Sequence, residues 1–237
     1  MDLSEATWPD AAAVDTDLAV LPVGSTEQHG PHAPLGTDVL TAEAVARAGA
    51  DAYEDEVVVA PAVPVGVAEE HRQFAGTLWV SEDTFRDYVR ETVASLAHHG
   101  WDRVVVVNGH GGNVDALREV CGQITRHDDA YAVPFTWFDA VDAHDMGHGG
   151  PVETSLLWHT DPDSVDESRL EAAAEDGADG WGEWVEGVNL TYDTVEFSEN
   201  GVVGDPREAS AERGDALLDE ASEALATVLS RVATRER

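Results

Sequence analysis

Four runs of mostly apolar residues limit the folds that this chain can adopt. The runs are Leu18–Val23 and residues 57–65, 103–107 and 130–138. Their apolar residues follow one another instead of alternating with polar ones, which is typical of strands buried on both faces. Such strands occur in parallel sheets that helices cover on both sides. The runs therefore predict a parallel sheet at the centre of the protein.

Helical patterns separate these runs and close the chain. Apolar residues recur at helical spacing over residues 41–53, after Ser81, after Asn113 and over residues 217–229. Ser81 is the predicted N-cap of its helix. The alternation of strands and helices predicts an α/β fold. We expect a three-layer α/β/α sandwich with a mainly parallel central sheet and right-handed crossovers.

The pattern of strands and helices has no internal repeat and no linker. We therefore expect residues 1–237 to form a single domain. One segment has no clear pattern: residues 177–186 are rich in glycine, tryptophan and acidic residues. This composition fits either a lid or a contact surface, and we assign no helix or strand to it.

The charge of the chain narrows the choice of partners. The sequence contains 13 basic residues, all arginines, against 48 acidic ones, which gives a formal net charge of −35. Such a surface repels nucleic-acid phosphates and anionic lipids, so we expect neither a nucleic acid nor a membrane as a partner. The acidic residues are spread along the whole chain, and molar salt would screen their repulsion. We predict a halophilic, salt-accumulating source, with an acidic mesophile as the alternative.

Cysteine content and targeting signals indicate the cellular compartment of the protein. Cys121 is the single cysteine, which excludes a disulfide framework and a cysteine-based zinc site. The N-terminal residues lack the basic start and the apolar stretch of a signal peptide. No run approaches the ~20 apolar residues that a membrane helix needs. We therefore expect a cytoplasmic protein.

Polar clusters follow three of the predicted strands. Glu27 and His29 come after the first strand, residues 108–113 (NGHGGN) after the third, and residues 148–153 (HGGPVE) soon after the fourth. In open parallel sheets, ligands bind at the carboxyl ends of the strands. We therefore expect the three clusters to meet at one edge of the sheet.

The side chains in these clusters are suitable metal ligands. Glu27 and His29 are two residues apart and point to one face of an extended segment, and Asp38 follows nine residues after His29. His110 lies between glycines, and Glu153 opens a helix-like stretch. Two imidazoles and three carboxylates suit a pair of divalent cations. A mixed set of nitrogen and oxygen ligands without a thiolate favours Zn, Mn or Fe over Ca or Mg as the cofactor.

Each cluster also has a simpler interpretation. A Glu-x-His sequence after a strand is often a solvated loop end. Asp38 could cap the helix that follows it. Residues 108–113 could be an ordinary strand-to-helix turn or a nest of N–H groups for a phosphate. The convergence of the clusters at one edge favours the metal site over these alternatives.

Five segments of the chain carry a family resemblance. They are LPVGSTEQHGPHAPLGTD, FAGT, VVVVNGHGGN, HGGPVETS and GVVGDPREASAERG. In this order, between residues 18 and 214, they resemble the creatininase (creatinine amidohydrolase) family. The resemblance implies a three-layer α/β/α fold and a homohexamer. It also implies a dinuclear metal centre that hydrolyses a non-peptide C–N bond of a small-molecule amide.

The resemblance also implies roles for single residues. By position, Glu27 and His110 would hold one metal ion, His29 would hold the other, and Asp38 would bridge them. His148 matches the histidine that lies beside the scissile bond as proton donor or carbonyl polariser. Together with Glu153, it is a catalytic candidate.

Two departures from the family pattern bear on the substrate. Creatinine-cleaving members have His-Tyr-Glu where this chain has His110-Gly111-Gly112, and their glutamate ligates the second metal. Glu153 is the candidate to replace it. The position of their gating tryptophan is taken here by His144. Both departures point away from creatinine.

The His-Gly-Gly-Asn form of the motif suggests the substrate. It resembles that of an archaeal deformylase, which removes a formyl group from a ribosylaminopyrimidine phosphate in riboflavin and deazaflavin biosynthesis. We take hydrolysis of such a formamide as the preferred function. The alternatives are creatinine hydrolysis, peptidase-like maturation of a small peptide-derived redox cofactor, and a non-catalytic phosphate-binding module.

Overall fold

A parallel sheet forms the middle layer of the protein. The computed structural model describes residues 1–236. Four strands of this part of the chain pair in the spatial order β2–β1–β3–β4. Their bounds are β1 Leu18–Val23, β2 Val58–Val59, β3 Arg103–Asn108 and β4 Tyr131–Thr136. All three pairings are parallel, so the carboxyl ends of the strands lie at one edge.

The two central strands are buried on both faces. Every residue of β1 is buried, and the four valines of β3, residues 104–107, are fully inaccessible to solvent. Successive side chains of a strand point to opposite faces, so each strand contributes to two cores. One core contains Leu21 and Val106, and the other contains Val20 and Val105. Full burial of such a side chain contributes roughly 1.5–3 kcal/mol relative to its exposure.

Helices cover both faces of the sheet, which confirms the predicted α/β fold. Helices α3 and α4 pack on the first core, and α2, α5 and α7 pack on the second. The Ser81 hydroxyl accepts a hydrogen bond from Thr84 N, so the predicted N-cap is confirmed. The helix bounds are α1 Trp8–Ala11, α2 Thr37–Ala52, α3 Glu82–His98, α4 Val114–His127, α5 Pro151–Thr160, α6 Leu170–Glu175 and α7 Ala211–Ala233.

Two of the predicted strands are shorter in the structure. Within residues 57–65, strand β2 contains only Val58–Val59, and Val63 forms a separate parallel bridge with Val23. Pro61 and Pro64 interrupt the run, and proline has no N–H to donate to a ladder. Within residues 130–138, the strand ends at Thr136 and a 3-10 turn follows.

The segment without a clear pattern contains a small hairpin. Strands β5 (Trp184–Val185) and β6 (Val188–Asn189) pair antiparallel. The turn between them has positive φ at Glu186 and Gly187. Large apolar side chains around this hairpin are exposed to solvent; they are Trp181, Trp184, Val185, Val188, Leu190 and Tyr192. In residues 1–236 no helix combines the length and the apolar character that crossing a bilayer demands.

Candidate metal centre

The structure brings the candidate side chains together at the carboxyl edge of the sheet. Glu27 and His29 lie in the loop after β1, His110 follows β3, and Asp38 lies in the first turn of α2. Glu153 lies in the first turn of α5. All five side chains are buried, with at most 5% of their surface exposed. The N-cap of α2 is Gly36, so the interpretation of Asp38 as a helix cap is wrong.

One group of ligands is formed by Glu27, Asp38 and His110. His110 Nδ1 lies 3.2 Å from Glu27 Oε1 and 3.2 Å from Asp38 Oδ2. The other ring nitrogen of His110, Nε2, donates a hydrogen bond to the carbonyl oxygen of Val67 at 2.6 Å. In the neutral ring, the lone pair of Nδ1 therefore faces the two carboxylates. This arrangement could hold a cation.

A second group lies on the opposite side of Asp38. His29 Nε2 is 3.0 Å from Asp38 Oδ1 and 3.7 Å from Glu153 Oε2. His29 Nδ1 lies 3.2 Å from the carbonyl oxygen of Glu27 and donates to it in this tautomer. Asp38 thus places one oxygen against each imidazole. A carboxylate in this position can bridge two ions.

The hydrogen bonding of these side chains tests whether cations fit the site. Within residues 1–236, both oxygens of Glu27, Asp38 Oδ2 and His29 Nε2 are buried without a hydrogen-bond partner. Burial of an unpaired carboxylate is costly, and almost all buried polar groups in proteins are paired. Cations between the two groups would satisfy these atoms. The donor set therefore fits two divalent ions.

The electrostatics of the site point the same way. Burial, opposed by His110 and assisted by the negative charge of Asp38, raises the pKa of Glu27 to about 7. Burial alone would raise the pKa of Asp38, but His29 and His110 outweigh burial and hold that pKa below its ordinary value. The carboxylates raise the pKa of His29 and of His110 well above its ordinary value, although burial opposes them. Protons therefore compete with cations for these atoms.

His148 lies directly beside the carboxylates. Its Nε2 donates to the carbonyl oxygen of Gln28 at 2.6 Å, so Nδ1 faces the site, 3.7 Å from Glu27 Oε1. Burial, followed by the nearby imidazoles of His29 and His71, lowers the pKa of His148 well below its ordinary value. Backbone hydrogen bonds with Val203 in both directions hold the residue in place. The ring therefore offers a proton acceptor.

A backbone hydrogen bond holds the carboxylate of Glu153, a candidate ligand, in place. Its Oε2 accepts a hydrogen bond from Gly149 N at 2.6 Å, and the same oxygen faces His29. The Glu153 carboxylate thus adds a second negative charge beside His29, next to that of Asp38. His148, His29 and Glu153 also form a set whose ligand atoms are close enough to share an ion.

The structure explains the departure at Gly112. A Cβ atom at this position would overlap the carbonyl oxygen of Val67 and lie 3.1 Å from Glu70 Oε1. The loop that carries Val67 therefore fills the space that a side chain would need. The Asn113 amide ties this loop to the site, because it accepts from Val67 N and donates to the carbonyl oxygen of Gly24. The glycine is thus required by packing.

The NGHGGN segment is only partly available as a phosphate nest. His110 N donates to the side-chain oxygen of Asn108, and Asn113 N donates to the carbonyl oxygen of His110. Two of the N–H groups that a nest would present are therefore already paired. At the second departure, the His144 side chain is 83% exposed and lies 3.4 Å from Asp142 Oδ1, so it is not buried with the candidate ligands.

Three residues at the site were not singled out from the sequence. His71 ends a 3-10 turn, Glu69–His71, and its Nε2 lies 3.5 Å from Glu27 Oε1. Burial, with His110 and His29, lowers the pKa of His71 to about 3. Gln28 contacts both His71 and His148, and the ring of Trp181 lies 6.2 Å from that of His148. Each lies in or near a segment noted in the sequence: Gln28 in the first family motif, His71 three residues before FAGT, and Trp181 within residues 177–186.

The chain is similar to known proteins over most of its length. A family model described as creatininase, creatinine amidohydrolase, matches residues 4–229. A mycofactocin precursor peptide peptidase from Mycolicibacterium smegmatis is 38% identical over 211 residues, which cover 86% of this chain and 80% of that protein. A creatinine amidohydrolase from Pseudomonas putida is 31% identical over 199 residues, which cover 71% of this chain and 75% of that protein.

Solved structures of creatininases share the fold. The manganese form of creatininase superimposes with a TM-score of 0.79 at 25% identity, covering 99% of both chains. A mutant creatininase of the Zn–Zn type gives a TM-score of 0.82 at 24% identity, covering 99% of this chain and 98% of that one. The family match and these structures confirm the resemblance read from the sequence. The chain belongs to the creatininase family, whose hydrolases act on amide C–N bonds.

Proposed function

We propose that this protein is a dinuclear metal hydrolase that cleaves an amide bond in a small peptide-derived substrate. The observation that carries the proposal is the buried, unpartnered donor set around Asp38. Glu27 and His110 would hold one ion, His29 and Glu153 the other, and Asp38 would contact both. The nitrogen and oxygen ligands without a thiolate suit Zn, Mn or Fe, and Zn or Mn is preferred because the similar creatininase structures are of Zn–Zn and Mn types.

The residues around the ions divide the chemistry between them. Bound ions would lower the pKa of a water molecule toward neutrality and so supply a nucleophile. His148 Nδ1 faces the same place and can accept the proton of that water when its oxygen adds to the amide carbon. The same proton can then pass to the leaving nitrogen as the C–N bond breaks. Burial of all these groups excludes bulk water and strengthens their interactions.

Two observations support a peptide as the substrate class. The first is the 38% identity with a peptide peptidase over 86% of this chain. The second is the apolar surface beside the site. Trp181 lies 6.2 Å from His148 and 6.4 Å from Phe197, and the hairpin that follows exposes further apolar side chains. Such a surface suits the side chain of a peptide residue.

The formamide expectation has less support. It rested on the His-Gly-Gly-Asn sequence, and the structure accounts for that sequence by packing. Gly112 makes room for Val67, and Asn113 ties down the same loop. These residues therefore need no formamide to explain them. Hydrolysis of a peptide-derived amide is accordingly favoured over deformylation.

A substrate comparison tests the proposal. The protein, reconstituted with Zn or Mn in molar KCl, is incubated with a panel of short peptides, a formamidopyrimidine nucleotide and creatinine. Products are identified by mass spectrometry. We expect cleavage of a peptide amide. Turnover of the nucleotide or of creatinine without any peptide cleavage would overturn the substrate class.

A matched pair of variants tests the metal centre. Glu27→Gln keeps the shape of the side chain and removes its charge, whereas Glu91→Gln makes the same change at an exposed position on α3. Changes in the outer shell of a metal site already cost about 10- to 100-fold in affinity or activity. We therefore expect the activity and the metal affinity of Glu27→Gln to fall by at least about a hundredfold, and those of Glu91→Gln to match the wild type. Metal analysis and activity assays measure both. Full metal content in Glu27→Gln would refute the proposed ligand set.

A further inference from the structure

Gln28 contacts two imidazoles that stack on each other. Its carbonyl oxygen accepts a hydrogen bond from His148 Nε2 at 2.6 Å. Its side-chain nitrogen lies 2.9 Å from His71 Nδ1. The rings of His71 and His148 stack with 4.4 Å between their centroids and 19° between their planes. All three side chains are buried.

Two backbone groups fix the orientation of the Gln28 amide. Its oxygen accepts from Gly30 N at 2.9 Å, and its nitrogen donates to the carbonyl oxygen of Gly201 at 3.0 Å. A flipped amide would place oxygen against oxygen at Gly201 and N–H against N–H at Gly30. The nitrogen of the amide therefore faces His71. Gly201 must be glycine for this contact, because a Cβ atom there would overlap the Gln28 amide.

This orientation determines where the protons of the two rings lie. The Gln28 amide donates to His71 Nδ1, so the neutral His71 ring carries its proton on Nε2. That N–H faces Glu27 Oε1 at 3.5 Å. The neutral His148 ring also carries its proton on Nε2, but this proton is held by the Gln28 carbonyl oxygen. His148 therefore presents its bare Nδ1 to the same carboxylate oxygen, at 3.7 Å.

The two rings thus present a hydrogen-bond donor and a hydrogen-bond acceptor to the same region, next to Glu27 Oε1. His71 offers an N–H donor, and His148 offers a lone pair. Hydrolysis of an amide needs both, because negative charge develops on the carbonyl oxygen while a proton leaves the attacking water. Glu27, His71 and His148 are also close enough together to share a cation. However, a nitrogen that carries a proton has no lone pair for a metal ion.

We infer that His71 is a hydrogen-bond donor to the substrate carbonyl oxygen, that it is not a metal ligand, and that Gln28 is a positioning residue that fixes the tautomers of both rings. The inference rests on the proposed function for its chemistry. The tautomer of His71 and the number of bound ions do not depend on the reaction, because both can be measured without a substrate.

The first test is a long-range ¹H–¹⁵N spectrum of the histidine rings. The sample is the zinc-loaded protein in molar KCl, labelled with ¹⁵N-histidine, and the His71 signals are assigned by their loss in His71→Gln. We expect a protonated Nε2 and an unprotonated Nδ1 for His71, with neither nitrogen bound to zinc. A proton on Nδ1, or zinc on Nε2, would overturn the inference.

The second test reverses the donor at position 28. Gln28→Glu replaces the amide nitrogen by a carboxylate oxygen, which accepts a hydrogen bond from His71. We expect the His71 proton to move to Nδ1, while His148 keeps its proton on Nε2 because the backbone carbonyl is unchanged. Gln123→Glu on α4 adds the same charge away from the site and should leave both rings as they are. An unchanged His71 signal in Gln28→Glu would show that Gln28 does not position the ring.

Metal counting separates the inference from the proposed function. His71→Leu should bind as much zinc per chain as the wild type, because His71 is not a ligand. A loss of zinc in His71→Leu would overturn the inference and leave the dinuclear hydrolase in place. A wild-type protein that binds none of zinc, manganese and iron would instead refute the proposed function, while the tautomer of His71 could still be measured in that protein.

Discussion

Asp38 is the residue on which the proposed metal centre depends most. Its two oxygens contact different imidazoles, at 3.0 Å for His29 and 3.2 Å for His110. The residue lies in the first turn of α2, where the free N–H groups of a helix favour a negative charge. Only 1% of its surface is exposed, so the side chain cannot rotate into solvent. Position, charge and burial together fix the Asp38 carboxylate between the two imidazoles.

His32 allows a prediction about pH. Only 1% of its surface is exposed, its Nε2 lies 2.9 Å from Thr154 Oγ1, and burial lowers its pKa from 6.5 to about 4. The unfolded chain therefore binds a proton near pH 6.5, whereas the folded chain binds it near pH 4. The contribution of neutral, buried His32 to the free energy of unfolding is therefore complete above pH 6.5. As the pH falls toward 4, the free energy of unfolding decreases by an amount on the order of 3 kcal/mol.

Denaturant unfolding of chelator-treated protein in molar KCl measures this effect. The wild type should lose stability between pH 7 and pH 4.5, and His32→Asn should lose less over the same range. His144→Asn is the matched control, because its side chain is 83% exposed. Equal losses in His32→Asn and the wild type would contradict the prediction.

Some residues of the site could be predicted from the sequence, and others could not. Glu27, His29, Asp38, His110 and Glu153 follow strands or open helices, so the rule that strand ends converge brings them together. Gln28 could not be found in this way. Its partners lie 43 and 173 residues away along the chain, and no local pattern reports such contacts.

At the scale of elements, helix α7 packs through glycines. A Cβ atom at Gly49 on α2 would overlap the side chain of Leu225 on α7. A Cβ atom at Gly214, near the start of α7, would overlap the carbonyl oxygen of Ser155 on α5 and lie 2.6 Å from His159 Cβ. The three helices therefore approach one another more closely than larger side chains would permit. This layer supports α2 and α5, which carry Asp38 and Glu153.

Gly214→Ala should destabilise the protein by about 1–3 kcal/mol, because the added methyl group meets backbone that cannot move freely. The better helix propensity of alanine, about 1 kcal/mol, opposes this effect only in part. Gly180→Ala is the control, since nothing lies within 4 Å of its Cβ position. Thermal unfolding in molar KCl measures both. A Gly214→Ala variant as stable as the wild type would refute the tight packing of α7.

The elements were predicted best where apolar runs are continuous. Strand β1 has its predicted bounds, and β3 extends one residue further. Strand β2 is shorter because prolines interrupt its run, and α2 begins at Thr37, four residues before the predicted start. The β5–β6 hairpin was not predicted, because strands of two residues are too short to show an alternating pattern.

At the scale of the whole molecule, the charge dominates. The net charge of −35 is spread over a chain with only 13 basic residues. Many of the arginines pair with acidic groups at the surface, for example Arg213 with Asp145 at 2.6 Å and Arg90 with Asp128 at 2.7 Å. Most acidic side chains therefore lack a basic neighbour, and their mutual repulsion favours the unfolded chain.

Salt should stabilise the folded protein. At 1 M ionic strength the Debye length is about 3 Å, so the repulsion between surface carboxylates is largely screened. We expect the free energy of unfolding to rise steeply between 0.1 and 2 M KCl, as measured by denaturant titration. Glycerol at equal osmolality is the uncharged control and should give a smaller rise. Full stability in dilute buffer would refute the halophilic source.

The unpartnered oxygens of Glu27 also have a consequence for the abundance of the protein in the cell. A ligand that binds only the folded chain stabilises it by mass action. Zinc or manganese at these oxygens would therefore protect the chain against proteolysis. Scarcity of the ion would therefore lower the abundance of the protein as well as the fraction of it that is active.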